Sequence, residues 1–355
     1  MLDMSGNNAW DDPHRNGVAP SSGAPYRPIA PIEPSGIRAK LMLETASLMM
    51  SEMDWPYKQV TVTLRSQGDE QGIFRMFGAN HPDSIRQVFE RQLDVSIMNP
   101  SAILSMAHRG IGLFTEPMQV ALIAVIPHDD QLGFAVSRAS GLTSLDDIRE
   151  KRFPLRLSVR GSLDLSTTRL VELVLKTHGF SYQDLIDWGG SVSYDQPMPN
   201  DDARMGRAAR GEFDAIFDEG MLIWANLVPG AGMRFLDLSE ERLSALEGQG
   251  FRRGTIAQSA FDQLPSDVTT LDYSGWPVYT RIDTPALFVR KFCEGLVARR
   301  GSLPWHVGPV QQADLPLARM VVDSPETPLD VPLHPAAREI WTKLGYLQAK
   351  GVDHA

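Results

Sequence analysis

Leu93–Pro100 (LDVSIMNP) and Phe213–Gly220 (FDAIFDEG) are two copies of one local pattern. In each copy an aspartate precedes a short apolar run of strand length, which leads into a polar or Gly/Pro turn and then into a helical pattern. A polar amphipathic stretch precedes each copy, at 83–92 and at 202–212. This repeated corner predicts two similar lobes. In open α/β sheets ligands bind beyond the carboxyl ends of the strands, so we expect both corners to face one shared crevice.

The bulk composition fits a globular chain. Its 355 residues are enough for two domains of ordinary size, and 43% are hydrophobic and 22% charged. The net charge of −10 makes nucleic acid and anionic membrane surfaces poor partners. An acidic chain can still hold an anionic small molecule, because a cleft can carry local arginines and helix N-termini.

Several classes of site have no sequence support. Cys293 is the single cysteine, so an internal disulfide is excluded. The chain has no Walker-type loop, no GxGxxG after a strand, no HExxH, no paired CxxC and no GxSxG elbow, so we expect no cofactor and no metal. No apolar run approaches the roughly 18 residues of a membrane span, so we expect no direct membrane insertion.

Residues 1–35 are rich in Pro, Gly, Ser and Asn, which is typical of a poorly ordered leader. They contain neither the basic head nor the apolar core of a secretory signal. As it stands, the sequence predicts a cytoplasmic location. A periplasmic location is the alternative if a signal was removed or the start is misassigned.

Alternating strand and helix patterns predict an α/β fold with mainly parallel sheets and helices on both faces. We expect lobe 1 over 36–130, lobe 2 over 131–280 with a hinge near 128–140, and C-terminal helices over 281–355 that return to lobe 1. A looser region rich in Tyr, Trp and Pro is expected to run through Tyr279.

The first clear helix is predicted over Ile37–Met53, where apolar residues recur at helical spacing. Its methionines are interpreted as core filler rather than as a binding surface. They are Met42, Met49, Met50 and Met53.

Four further phrases carry a family resemblance: Gly141–Ile148 (GLTSLDDI), Arg160–Ser162 (RGS) before a long helix, Gly211–Ala215 (GEFDA), and the tail Pro332–Ala337 (PLHPAA) with Leu344-Gly345. From about residue 37 to 346 the chain resembles the solute-binding subunits of TRAP transporters of the TAXI family, and more broadly the type 2 periplasmic-binding-protein fold. The resemblance implies two hinged lobes that close on a small, usually carboxylate-bearing solute. It also implies a membrane permease as partner.

The chain departs from that family's pattern at three points. No signal peptide is visible. The family's first strand and Gly-rich loop are expected just before the first helix, where this chain has a Pro-rich stretch ending in Ser35-Gly36. The Ser/Gly/Thr-rich turn expected after the strand Leu155–Val159 contains Asp164 here, and this acid disfavours a bound carboxylate at that spot.

Arg65 and Arg160 end predicted strands in opposite lobes. If both point inward, they would clamp one carboxylate from two sides through bidentate pairing. The alternative is that each pairs with a nearby surface acid, Glu70 or Asp164. Helix N-termini add unpaired N–H groups for an anionic or polar ligand. The ligand-binding candidates in these turns are Ser66, Gln67, Asn99, Ser101, Ser162 and Ser166.

Asp218 and Glu219 follow the second strand-turn-helix corner, where the fold directs residues to the crevice. They are candidates for ligand binding or for proton transfer, and the alternative is a helix N-cap with a solvated neighbour. His128 follows an apolar strand near the predicted crossing between lobes, where an imidazole could act in catalysis or could simply lie in a loop. His334 in the tail motif is expected to serve structure, its ring bonding a loop backbone.

Two functions are therefore open. The first is a solute-binding protein that closes a two-lobe cleft on a small carboxylate-bearing organic metabolite, as in TAXI-type uptake. The second is a cytoplasmic enzyme on the same fold, a decarboxylase or other lyase acting on a small carboxylic acid, aromatic acids included, with His128, Asp218 and Glu219 as catalytic candidates. Fold-level analogy does not choose between them.

Overall fold

The computed structural model describes residues 37–52, 59–65, 72–78, 81–162, 165–302, 305–307, 310–312 and 314–348. Within these ranges the chain forms two lobes, each built on a β-sheet with packed helices, so the predicted two-lobed α/β architecture is confirmed. The strands are β1 (Val60–Arg65), β2 (Ile73–Gly78), β3 (Val95–Ile97), β4 (Val120–Ile126), β5 (Gln131–Ser137), β6 (Arg156–Arg160), β7 (Ser191–Asp195), β8 (Ala215–Asp218), β9 (Met233–Phe235), β10 (Arg253–Ile256), β11 (Val268–Asp272), β12 (Trp276–Arg281), β13 (Trp305–Val307) and β14 (Val310–Gln312). The helices are α1 (Ile37–Glu52), α2 (Asp83–Phe89), α3 (Ser101–Arg109), α4 (Leu145–Glu150), α5 (Ser166–Thr177), α6 (Tyr182–Asp187), α7 (Arg207–Ala209), α8 (Met221–Trp224), α9 (Glu240–Gly248), α10 (Ala286–Arg299) and α11 (Pro335–Lys343).

Both sheets are mixed rather than mainly parallel. Lobe 1 has the five-stranded order β1-β2-β3-β12-β4, and lobe 2 has the order β10-β11-β5-β8-β6-β7 with β9 beside β5. Between these strands, parallel pairing is confined to β2/β3, β6/β7 and β6/β8. The other pairs are antiparallel. The strands that carry the chain between lobes, β4 into β5 and β11 into β12, run against their neighbours, and so do the consecutive strands β1 and β2. The region expected to be loose contains β10, β11 and β12.

The described chain crosses between the lobes twice, at 127–130 and at 273–275. The two crossings run side by side, since Gly275 donates its N–H to the carbonyl of His128 at 2.8 Å and Tyr273 donates to that of Asp130 at 2.8 Å. The C-terminal segment braces them, because the N–H of His128 donates to the carbonyl of Glu326 at 3.0 Å. The crossings therefore form a short two-stranded connection at the base of the cleft between the lobes.

The repeated sequence pattern corresponds to a repeated contact. Asp94 accepts the backbone N–H of Arg75 on the neighbouring parallel strand at 2.8 Å, and Asp214 accepts the backbone N–H of Arg156 at 2.9 Å. The main chain reciprocates in both places, from Asp94 N–H to Arg75 O at 2.9 Å and from Asp214 N–H to Arg156 O at 2.8 Å. Each aspartate thus sets the register of a parallel strand pair whose carboxyl ends point into the cleft.

The largest apolar cluster spans both lobes, and its members include Ile85 and Met106 of lobe 1 and Leu157 and Phe217 of lobe 2. Lobe 1 has a second cluster beneath α10 and α11 that contains the buried Cys293. Among the described residues, no helix combines the length and the apolar character needed to cross a membrane.

The first helix does not behave as core filler. On α1, Leu41 is 63% exposed, Met42 70% and Met49 42%, so the interpretation of its methionines as core is wrong at the positions whose side chains are described. Met53 and the side chain of Met50 lie outside the described part of the chain.

Candidate functional site

Arg160, Asp218 and Glu219 meet at the carboxyl ends of β6 and β8, two neighbouring parallel strands of lobe 2. The Arg160 guanidinium donates to Asp218 from Nε at 3.1 Å and from Nη2 at 2.9 Å, and the same Nη2 lies 2.9 Å from Oε1 of Glu219. Burial lowers the pKa of Arg160, but the charges of Asp218 and Glu219 outweigh it and raise that pKa above its usual value. Three residues predicted separately therefore form one ion-pair cluster, which we call the Arg160 centre. Asp164, the surface partner considered for Arg160, lies outside the described residues.

A second arginine lies beneath this centre. Arg204 is fully buried, and its Nη1 donates to Oδ2 of Asp218 at 2.5 Å. Its Nε donates to the hydroxyl of Ser158 at 3.0 Å, which in turn donates to Asp195 at 2.7 Å. Because the side chain of Asp218 has no exposed surface, it supports Arg160 from below in this structure and does not line the cleft.

Glu219 is the accessible acid of the Arg160 centre, with 13% of its side chain exposed. Burial first, and then the charge of Glu219, raises the pKa values of Asp130 and Tyr273, so both lie close to this carboxylate. Asp130 accepts the N–H groups of Gly220 at 2.7 Å and Met221 at 2.9 Å, at the start of α8. The expected N-cap role of Asp218 thus falls to Asp130, a residue of the first crossing.

Lobe 1 contributes the start of α3. Asn99 is half-buried and Ser101 is buried there, and the N–H of Ser101 donates to the carbonyl of Ser274 on the second crossing at 3.1 Å. The hydroxyl of Ser101 has no hydrogen-bond partner among the described residues. The same crossing reaches lobe 2, because the hydroxyl of Tyr273 bonds that of Thr167 in the first turn of α5 at 2.8 Å. The first turns of α3 and α5 therefore contact one connecting strand.

The turn between β6 and α5 carries two more predicted ligand-binding residues. Ser162 is half-buried, and its carbonyl accepts the N–H of Leu165 at 3.2 Å. Ser166 is buried as the first residue of α5. Both lie at the same end of the lobe 2 sheet as Arg160.

The position of Arg65 contradicts the two-sided arginine clamp. Strand β1 runs antiparallel to β2, and Arg65 pairs with Ile73 at the amino end of β2. The cleft lies at the other end, where β2 and β3 lead into α2 and α3. Arg65 is therefore exposed on the edge strand, away from the Arg160 centre. Ser66 and Gln67 lie outside the described residues.

His128 lies in the first crossing, where its ring packs against that of Trp276 with centroids 5.0 Å apart and ring planes tilted by 31°. Burial lowers the pKa of His128 to about 4, so the imidazole is neutral at pH 7. Its Nδ1 is buried and has no hydrogen-bond partner within the described chain. The structural role predicted for His334 is confirmed, because its Nδ1 accepts the N–H of Ala336 at 3.2 Å and caps α11.

Sequence reasoning missed Asp130 and Arg204. The polar run His128-Asp129-Asp130 after an apolar strand offered a signal for Asp130. Arg204 had none, because it lies in a stretch that looks solvated and its burial depends on a helical turn, Asp202–Gly206, packed over the sheet. In the part of the chain that the structure describes, no group of three or more His, Cys, Asp or Glu side chains is arranged to hold a metal ion.

The fold and the Arg160 centre define a two-lobed α/β protein with a charged cluster at the carboxyl ends of two parallel strands of lobe 2. A scan against protein-family models finds no match, and a search of curated proteins finds none either. Among solved structures, the alkanesulfonate-binding protein SsuA from Xanthomonas axonopodis pv. citri, bound to MOPS, is 15% identical with a TM-score of 0.30 over 62% of this chain and 60% of that one. The glycine betaine/L-proline-binding protein ProX from Borrelia burgdorferi is 13% identical with a TM-score of 0.35 over 61% and 66%.

A third similar structure is an enzyme, the ATP phosphoribosyl transferase (HisG:HisZ) complex from Thermotoga maritima, 10% identical with a TM-score of 0.30 over 74% of this chain and 89% of that one. This chain spans 60% and 66% of the two binding proteins, less than two thirds of either. None of these three proteins is described as a TRAP subunit, and the resemblance to the TAXI family stays a prediction.

Proposed function

We propose that this protein binds a small carboxylate-bearing organic metabolite between its two lobes and delivers it to a membrane permease, as in TAXI-type uptake. The observation that carries the proposal is the Arg160 centre, a charged pair at the carboxyl ends of two parallel strands with 15% of the Arg160 side chain and 13% of the Glu219 side chain exposed. Asp218 holds the Arg160 guanidinium in place, so it is preorganised for a carboxylate. The arginine side chain therefore loses little conformational entropy when a ligand binds.

The charge of the Arg160 centre narrows the ligand class. Arg160 and Arg204 already face two carboxylates, Asp218 and Glu219, so the charges balance and a ligand with only an anionic group would add an uncompensated negative charge. A ligand that also offers a donor to Glu219, a hydroxyl or an ammonium, satisfies both partners and leaves no buried charge unpaired. We therefore favour hydroxy acids and amino acids over plain carboxylates.

Binding of a metabolite panel tests this proposal. Thermal shift and calorimetry would compare hydroxy and amino acids with matched acids that lack the donor. We expect the donor-bearing set to bind, and Glu219→Gln to weaken its binding by about tenfold, because one charge-assisted hydrogen bond is lost. Arg156→Gln is the matched control, since Arg156 pairs with Asp214 at the opposite end of the same two strands. The proposed ligand class would be contradicted if acids with and without the donor bound equally well. It would also be contradicted if Glu219→Gln and Arg156→Gln bound the donor-bearing acids with equal affinity.

The enzyme alternative rests on His128. Its buried Nδ1 lacks a hydrogen-bond partner among the described residues, which leaves it open to a ligand. Burial lowers the pKa of His128 to about 4, however, so the imidazole is a weak base at pH 7. Incubation of each ligand that binds, followed by mass spectrometry, separates the alternatives. An unchanged ligand supports binding alone, whereas conversion that is lost in His128→Gln supports catalysis. Transport further requires the native protein outside the cytoplasmic membrane, which fractionation of its host would test.

A further inference from the structure

Asp83 and Arg169 form an ion pair between the two lobes. Nη1 of Arg169 lies 2.9 Å from Oδ1 of Asp83. Asp83 is the first residue of α2, which follows β2 of the lobe 1 sheet, and Arg169 lies in the first turn of α5, which follows β6 of the lobe 2 sheet. Both helices begin at strand ends that face the cleft. The pair therefore spans the cleft on the side of the sheets where the Arg160 centre lies.

Both charges lie at helix N-termini, but the helix dipole acts on them in opposite directions. A carboxylate in the first turn of α2 is favoured by the partial positive charge there, whereas a guanidinium in the first turn of α5 is disfavoured. The nearest acid on α5, Glu172, is engaged with Lys176 at 3.4 Å and with the backbone N–H of Tyr182 at 3.0 Å. Asp83 from the opposite lobe thus supplies the compensating charge that α5 does not.

Other contacts hold the lobes together at the far ends of the helices. A Cβ on Gly112, just beyond α3, would lie 2.5 Å from the carbonyl of Gln249, at the end of α9. Gly250 packs as closely, since a Cβ there would lie 2.7 Å from Cγ of Met106. These contacts join C-terminal ends of helices, whereas Asp83 and Arg169 join N-terminal ends. The ion pair therefore joins the lobes at a different place from these close contacts.

We propose that the Asp83–Arg169 pair is a latch that holds the lobes closed, so that both residues set ligand affinity and residence time from outside the Arg160 centre. With 32% of the Arg169 side chain and 70% of the Asp83 side chain exposed, the pair is screened by salt and weak. Its loss is expected to lower the ratio of closed to open molecules by about two- to fivefold. The effect on a ligand rests on the proposed function, whereas the effect on the lobes does not.

The lobe arm of the test measures distances between spin labels at Gln87→Cys on α2 and Ile186→Cys on α6 of lobe 2, both exposed positions. Cys293 can stay in place, because it is buried and burial raises the pKa of its thiol to about 12. Arg169→Gln and Asp83→Asn should shift the distance distribution toward longer values, and 1 M salt should do the same to the otherwise unaltered protein. The reversed pair, Asp83→Arg with Arg169→Asp, should restore short distances. Distributions that match the unaltered protein in both single variants would overturn the latch.

The matched control is Arg290→Gln, which removes an exposed pair with Glu339 at 2.7 Å inside lobe 1 and should leave the distances unchanged. A shift in this control as large as in Arg169→Gln would also overturn the latch. The ligand arm uses any hydroxy or amino acid found to bind, and Arg169→Gln should raise its dissociation rate by the same two- to fivefold. Absence of binding to every form of the protein would reject the proposed function while the distance result still decides on the latch.

Discussion

At the scale of single residues, burial separates two ion pairs of the same type. Arg156 and Arg160 begin and end β6, and each donates two hydrogen bonds to an aspartate of the neighbouring strand, Asp214 and Asp218 respectively. The side chain of Arg156 is 46% exposed, whereas that of Arg160 is 15% exposed and that of Asp218 is fully buried. The outer pair is solvated, and the inner pair has little access to water and depends on its partners.

We predict that Asp218→Asn lowers the free energy of unfolding by about 3–5 kcal/mol, because it leaves the buried guanidinium of Arg204 without its anionic partner and leaves Arg160 with Glu219 alone. Asp214→Asn is the control, with an expected cost of about 1 kcal/mol for an exposed pair. Urea denaturation of the two variants measures both values. Equal costs would show that burial of the inner pair does not govern its contribution.

The sequence predicted Arg160, Asp218 and Glu219 as separate candidates but could not predict their contact. Their meeting depends on β6 and β8 being parallel neighbours in one register, and nothing local in the sequence specifies which strands pair. The same limit produced the Arg65 error. A strand end was identified correctly, but the antiparallel direction of β1, which moves Arg65 to the other edge of the sheet, is a property of the pairing.

At the scale of elements, α3 runs from the candidate site to a point where its C-terminal glycine packs against the backbone of a neighbouring segment. The helix begins at Ser101 near the cleft and ends at Gly110, whose φ is 68°. A Cβ on Gly110 would be in contact with the backbone nitrogen of Pro117 and only 2.5 Å from the backbone carbonyl carbon of Glu116. Gly141 has the same φ of 68°, but a Cβ added there would have nothing within 4 Å. The two glycines therefore share the φ angle and differ in the room available for a side chain.

Gly141→Ala should therefore cost about 1–2 kcal/mol of unfolding free energy, which is the strain of a left-handed conformation alone. Gly110→Ala should cost a further 1–3 kcal/mol, roughly, because backbone atoms on a neighbouring segment must move. Differential scanning calorimetry of both variants gives the comparison. Equal losses of unfolding free energy in the two variants would mean that the segment 116–117 can move to make room for the methyl group without destabilising the fold.

Elements with strong local patterns were predictable, and elements that depend on tertiary context were not. The helix over Asp83–Phe89 and the Ser144 cap of α4 follow from periodicity and capping residues. Strand β12 was missed because Pro277 lies inside it, and proline argues against an interior strand. The structure accommodates Pro277 beside a register shift between Val278 and Tyr279, and β12 then occupies the space between β3 and β4.

At the scale of the whole molecule, the two lobes are held by crossings that carry titratable groups of opposite behaviour. Burial raises the pKa of Asp272, at the end of β11, from 3.8 to about 6. Burial lowers the pKa of His128, in the other crossing, from 6.5 to about 4. Burial favours the neutral form of each side chain, which is the protonated form of Asp272 and the deprotonated form of His128. Both groups therefore make the stability of the crossing region depend on pH between about 4 and 6.5.

The signs of the two effects are opposite. The raised pKa of Asp272 stabilises the fold below pH 3.8, and this contribution is lost as the pH rises through about 6. The lowered pKa of His128 stabilises the fold above pH 6.5, and this contribution is lost as the pH falls through about 4. Each shift amounts to about 3 kcal/mol at most, so the two nearly cancel in the unaltered protein.

Single variants should separate these contributions. From pH 4 to pH 6, the free energy of unfolding of Asp272→Asn should rise relative to the unaltered protein, by up to about 3 kcal/mol, because the variant has no carboxylate to bury. His128→Gln should fall relative to the unaltered protein over the same range, since it lacks the imidazole whose neutral form the fold prefers. Asp262→Asn, at an exposed position of lobe 2, is the control and should track the unaltered protein. Urea titrations at a series of pH values measure all three, and parallel profiles for Asp272→Asn and His128→Gln would contradict the opposing titrations at the two crossings.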